Sequence, residues 1–214
     1  IVDIGNAAEV KTSALLTDMN QCLGFNAGNA LEVIEAVDFL TGKRQSKRLK
    51  EVVMGLCSEL LLLSKLAENK SCAENMLNAA LDSGKAAEIF GEMVYLLGGP
   101  ADLIDNYSSH LATASVVRPV PSEKQGYVSA IDTRQLGLSI VQMGGGRTRA
   151  EDQIDPAVGL SDVISIGASS DQSLATVHAQ SEDAWQQAAE TIRSAITFTQ
   201  SPVSPPSVIH EVIR

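Results

Sequence analysis

One change of periodicity, near Ala114, constrains the fold of this chain more than any other feature. Between Asn29 and Pro100, apolar residues recur every three or four positions in segments separated by turn residues. Beyond Ala114, short apolar stretches alternate with turns and flank two helical segments. Such a chain is expected to fold as α/β: part of a large mixed α/β domain, one strand plus a helical array, followed by an α+β module. The expected domains are 1–113 and 114–214.

Local signals place the elements. Asn29 and Glu32 have capping-box spacing, and Ala30, Ile34, Val37 and Leu40 form a helical stripe that stops at Gly42. From Lys47 to about Glu68, Leu49, Val52, Val53, Leu56, Leu60, Leu63 and Leu66 make a stripe that Leu61 and Leu62 widen. A helix with so wide an apolar face is expected to be buried on most sides. Ser71 and Glu74 form a second capping box, closed by Asp82-Ser83-Gly84. A further helix carries Ile89, Phe90, Met93, Val94 and Leu97 and stops at Gly98-Gly99-Pro100. In the second half, strands are expected at 115–120, 126–131, 163–166 and 174–179, with an edge strand at 208–213. Asp132 and Gln135 cap a helix bearing Leu136, Ile140 and Val141. Ser181 opens another, with Glu182 and Asp183 in its first turn and Trp185, Ala188, Ala189, Ile192 and Ile196 on its apolar face.

The opening residues read differently. Ile1, Ile4 and Ala8 share a helical face, and Val10 to Leu16 reads as a buried strand. A helix end feeding a parallel-type strand implies an earlier strand. The expectation is therefore the C-terminal part of a larger α/β protein.

Composition excludes several functions. The net charge of −10, spread along the chain, opposes binding to a phosphate backbone. No apolar run approaches the roughly 18 residues of a membrane helix. Cys22, Cys57 and Cys72 lack CxxC spacing, and His110, His178 and His210 lie far apart, which argues against a disulfide framework or a zinc site. Free thiols fit a reducing cytoplasm.

Three places could carry chemistry. Gly144-Gly145-Gly146-Arg147 could present backbone N–H groups and a guanidinium to an anion. Its spacing matches neither GxGxxG nor a P-loop, and it follows a helix, so a tight turn is the preferred reading. Asp18 ends an apolar strand, where open α/β sheets place their ligand crevices, and is equally suited to anchoring a loop. In Cys22 to Glu35 a loop of small residues precedes a helix bearing Glu32 and Glu35. Loop carbonyls with one carboxylate suit a hard cation, and a capped helix with exposed acids is the alternative.

The residues also carry a family likeness. Ala14-Leu15-Leu16-Thr17-Asp18-Met19-Asn20-Gln21, Ala27-Gly28-Asn29-Ala30-Leu31-Glu32-Val33 and Leu81-Asp82-Ser83-Gly84-Lys85-Ala86-Ala87 resemble the bacterial-type thymidine phosphorylases, among the pyrimidine nucleoside phosphorylases. So do Gly126-Tyr127-Val128, Asp132-Thr133-Arg134, Leu136-Gly137, Met143 to Arg147, Ile154-Asp155 and Val158-Gly159. The resemblance runs from about Ile1 to Phe198.

It implies a pentosyltransferase whose full-length form reversibly converts thymidine and phosphate to thymine and 2-deoxyribose 1-phosphate, in a cleft between a helical and an α/β domain. The second half would be an α/β-hammerhead-like module. The family's phosphate-binding Lys-His-Ser-Thr-Gly-Gly run and its base-binding Arg, Ser and Lys have no match here, so this chain is expected to be scaffold and inactive alone. No cofactor is required. A structural potassium ion is implied at positions matching Leu23, Asn26 and Glu35, where Asn26 replaces a small residue. The expected partners are nucleoside and phosphate and, at full length, a second copy. No nucleic acid or membrane is expected. A broader pyrimidine preference, or a non-catalytic interaction module built on this fold, are the alternatives.

Overall fold

The structure is a computed structural model that describes residues 1–214. By its internal contacts the chain gathers into two units that interleave in sequence. One comprises Ile1–Asp18, Asp38–Ala101 and Pro206–Arg214; the other comprises Met19–Val37 and Asp102–Pro205.

In the first unit, helix α1 (Val2–Ala7) leads to strand β1 (Ala14–Thr17). The expected buried strand over Val10–Leu16 does not form. Glu9 turns out of the helix at φ 62°, and Asn6 clasps Thr12 through Thr12 N–H to Oδ1 (2.9 Å) and Nδ2 to the Thr12 carbonyl (3.2 Å). This clasp folds residues 9–13 back on α1, leaving four extended residues with Val10 exposed. Nor is β1 parallel-type. It pairs antiparallel with the terminal strand β7 (Ile209–Ile213), from Ala14 opposite Ile213 to Thr17 opposite Ile209.

Helix α2 (Asn29–Leu40) belongs by its first nine residues to the other unit. Helix α3 (Lys47–Leu63) starts at the Ser46 cap and ends before Glu68, because Lys65 closes it at φ 58° with Leu66 N–H returning to the Leu61 carbonyl. It is not buried on most sides. Val52, Ser58 and Glu59 are buried, whereas Leu56 and Leu60 remain 50% and 65% exposed. Helix α4 (Lys70–Asp82) is capped by Asn69, whose Oδ1 accepts from Cys72 N–H at 2.9 Å, two residues before the expected Ser71 box. Glu74 pairs instead with Lys70 one turn back. Helix α5 (Lys85–Leu96) stops at the expected glycines.

The second unit has a continuous apolar core. Helix α6 (Leu103–His110), unassigned from the sequence although Leu103, Ile104, Tyr107 and Leu111 have helical spacing, precedes strands β2 (Val116–Val120) and β3 (Tyr127–Ile131). Then come α7 (Thr133–Ile140), a π-helical turn (Val141–Gly145), β4 (Gly159–Ser161), β5 (Ala175–Ala179), α8 (Glu182–Ala195) and β6 (Ile196–Thr199). The sheets are antiparallel, β2-β5-β4 and β3-β6. Asp132 and Ser181 cap α7 and α8 as expected. The strand expected at 163–166 does not form there; β4 starts four residues earlier, at Gly159. Asp162 at φ 52° ends it, and Val163, Ile164 and Ile166 are buried in irregular chain held by Ile164 N–H to the Leu174 carbonyl. Ala188, Ala189, Ile192 and Ala195 of α8 are buried in a core with Val120, Leu160, Leu174, Val177 and Ile196. Each fully buried Leu, Ile or Val among them contributes about 1.5–3 kcal/mol.

Candidate functional site

The segment Gln21–Gly28 is stitched along β4 and the irregular chain after it. Gln21 Oε1 accepts from Ile166 N–H, Val163 N–H donates to the Phe25 carbonyl, and Ala27 exchanges two hydrogen bonds of 2.8 Å with Leu160. Gly28 and Gly159 cross so closely that a Cβ on Gly28 would lie 2.8 Å from the Val158 carbonyl oxygen. Helix α2 starts from this crossing. Glu32 accepts from Gly28 N–H at 3.1 Å, so the reciprocal cap engages Gly28 rather than Asn29. Asn29 instead donates from Nδ2 to the Gly145 carbonyl.

One turn further, Glu35 is buried, not an exposed helical acid. Its Oε1 accepts from Phe25 N–H at 2.7 Å and its Oε2 from Asn26 N–H at 3.1 Å. A Cβ on Gly24 would stand 2.3 Å from this carboxylate, so only glycine lets the loop wrap it so tightly. A buried carboxylate demands such partners, and hydrogen bonds to a charge contribute about 1.5–3 kcal/mol each. Two N–H groups leave part of the carboxylate's capacity of about four lone-pair positions unfilled.

Asn26 adds a second oxygen. Its Nδ2 donates to the Leu31 carbonyl at 3.0 Å, which fixes which way the amide faces, while its Oδ1 is buried with no hydrogen-bond partner. An orphaned buried acceptor costs about 1–3 kcal/mol. Leu23, 38% exposed, opens the same loop. A carboxylate with spare capacity and an orphaned amide oxygen are donors of the kind that fit a hard cation. No group of three His, Cys, Asp or Glu side chains gathers anywhere, so the donors do not suit a zinc-type centre.

Asp18 serves as an anchor. Its carboxylate, with no exposed surface, pairs with Arg48 at 2.9 Å, His210 stands 3.8 Å away, and its N–H donates to the Val208 carbonyl. Gly144–Arg147 is a turn. The Gly144 carbonyl accepts from Asp155 N–H, and Arg147 Nε donates to the Asp152 carbonyl. Asp152 accepts from Thr148 Oγ1 and from the N–H groups of Thr148 and Arg149, which lowers its pKa.

Sequence reasoning missed several polar pairs. Glu59 on α3 holds Arg214 through both carboxylate oxygens, and that guanidinium lowers the Glu59 pKa. Ser161 and His178 meet at 2.9 Å across β4 and β5, where burial lowers the His178 pKa against the pull of Asp162. Arg118 lies 4.2 Å over the Trp185 ring and pairs with Glu182. Only the last had a sequence signal, an aromatic in the first turn of an otherwise regular amphipathic helix.

Comparison with known families finds two matches. Residues 1–87 match the model of the glycosyl transferase family, a/b domain. Residues 127–199 match that of the pyrimidine nucleoside phosphorylase C-terminal domain. The Glu35 loop lies within the first match and the Ser161–His178 pair within the second.

Proposed function

The chain belongs to the pyrimidine nucleoside phosphorylase family, and from that premise we propose that it serves the reversible phosphorolysis of thymidine as scaffold. The observation that carries this reading is the succession of the two matched domains in one chain. In the reaction a phosphate oxygen bonds C1′ of the deoxyribose while the C1′–N1 bond breaks. The bond's electron pair passes to thymine, which takes a proton. Phosphate charge stabilises the oxocarbenium-like sugar, and donors around the base stabilise its developing negative charge. Residues 1–113 contribute to the a/b domain, and 114–214 supply the C-terminal module.

The buried acids of this chain are already engaged. Asp18 is held by Arg48, Glu59 by Arg214 and Glu35 by two loop N–H groups. None stands ready as a general acid or base, and no stretch matches the family's phosphate-binding run. Chemistry therefore requires further residues, and this chain alone is inactive. The carbonyls of Leu23 and Asn26 with the Glu35 carboxylate would hold a potassium-like cation, whose charge would offset that of the carboxylate. No other cofactor takes part. Cys22, Cys57 and Cys72 form no disulfide, which fits a reducing, cytoplasmic setting. No helix is long and apolar enough to cross a membrane.

The test is phosphate-dependent release of thymine from thymidine, with uridine in parallel. The chain is assayed alone and mixed with a separate polypeptide carrying the family's phosphate- and base-binding residues. No release alone and release on mixing is expected. Release by the chain alone overturns the scaffold reading. Equal turnover of uridine replaces thymidine specificity with a broader pyrimidine preference.

A further inference from the structure

Two side-chain polar atoms of the second unit are buried without a hydrogen-bond partner, Gln21 Nε2 and Asn26 Oδ1, and only the second is an acceptor. The Asn26 amide cannot be turned round, because that would set Oδ1 against the Leu31 carbonyl that Nδ2 now serves at 3.0 Å. The backbone N–H of the same residue donates to Glu35 Oε2 at 3.1 Å. The side chain is short, so Oδ1 stays in the neighbourhood of that carboxylate. A buried acceptor placed near a buried anion, with no donor for it, is unfavourable until something positive lies among them.

We propose that Asn26 contributes its side-chain Oδ1, in addition to its main-chain carbonyl, to a monovalent cation beside Glu35. Asn26 thereby acts as a two-oxygen clamp at the mouth of α2. The inference rests on the cation reading above and adds a ligand that a small residue at this position could not supply. The Nδ2–Leu31 bond then has a second purpose. It orients the amide so that its oxygen rather than its NH₂ group is presented, as partners around a ligand commonly do.

Two substitutions separate the oxygen from the amide donor. Asn26→Ala removes both, whereas Asn26→Asp keeps an oxygen and loses the donor to Leu31. The thermal midpoint of the full chain is followed as KCl replaces choline chloride at constant ionic strength. By mass action the wild-type midpoint should climb with K⁺. In Asn26→Ala the apparent K⁺ affinity should fall about tenfold or more, since even outer partners of a metal site cost about 10–100-fold. Asn26→Asp should retain or strengthen the response. Equal loss in both variants would assign Asn26 a structural role through Nδ2 and overturn the proposal. An undiminished response in Asn26→Ala would leave the cation but discard Oδ1 as its ligand, with water as the oxygen's partner. No K⁺ response in the wild type would remove the cation, and the clamp with it. Should Asn26→Ala not fold, the Asn26 side-chain amide NMR signals of the wild-type chain replace it. They should move with KCl and not with choline chloride, and no movement overturns the clamp.

Discussion

Each of the two units coheres internally by a different means. The second unit buries a continuous apolar cluster in which Leu160, Leu174, Val177 and Ile192 have no exposed surface. The first buries few large apolar side chains along α3–α5 and is tied by polar locks, Asp18 with Arg48 and Glu59 with Arg214. Apolar cohesion is non-directional and grows with area. The buried Asp18–Arg48 pair contributes little net stability yet is costly to break from one side. The two units should therefore fail differently when perturbed.

The largest effect is expected at the Asp18 lock. Arg48→Met leaves a buried carboxylate without its cation and should cost about 3–5 kcal/mol, read from urea unfolding. A cost within experimental error of zero would make the lock incidental. In the second unit, Ile192→Ala should cost about 2–5 kcal/mol through lost burial and the cavity left behind. Leu60→Ala, at a side chain 65% exposed in this chain, should stay within about 0.5 kcal/mol. If Leu60→Ala costs as much as Ile192→Ala, the contrast between the units collapses.

Acid should sharpen the comparison with a smaller signal. The His178 pKa is lowered by burial from its ordinary 6.5, so the unfolded chain binds that proton first. Its contribution is complete above 6.5 and is lost as pH falls through the lowered value. The Glu59 pKa is lowered from 4.5 by Arg214, so its contribution is complete above 4.5 and is lost at lower pH. Arg214 is mostly exposed, which limits that contribution to about 1 kcal/mol or less. His178→Gln should abolish the earlier loss and Arg214→Met the later one, as measured by unfolding across the pH series. A single transition untouched by either variant would reject both assignments.

Local signals were the readable ones. The caps at Asp132 and Ser181 and the stop at Gly98-Gly99-Pro100 act within one turn of chain, and each stands where the residues placed it. The Ser71 box failed to a local competitor, because Asn69 in extended backbone reaches Cys72 N–H first. The strand expected at 163–166 failed for a subtler reason. Val163, Ile164 and Ile166 are buried, but Asp162 in the left-handed region carries them out of the ladder. For the candidate site, the sequence named the loop and the acid. It left open whether Glu35 lay in solvent or beneath that loop, and it could not see the orphaned Asn26 oxygen.

The sequence by itself determined several helix caps and stops, which faces are apolar, and the likeness to the family, because those depend on neighbours a few residues apart and on short motifs. Tertiary structure alone decided that β1 pairs with β7, that α3 keeps Leu56 and Leu60 uncovered, and that Glu35 sits buried against Phe25 and Asn26. Strand partners, coverage of an apolar face and desolvation of a charge all depend on residues distant in the chain, and no local pattern encodes them.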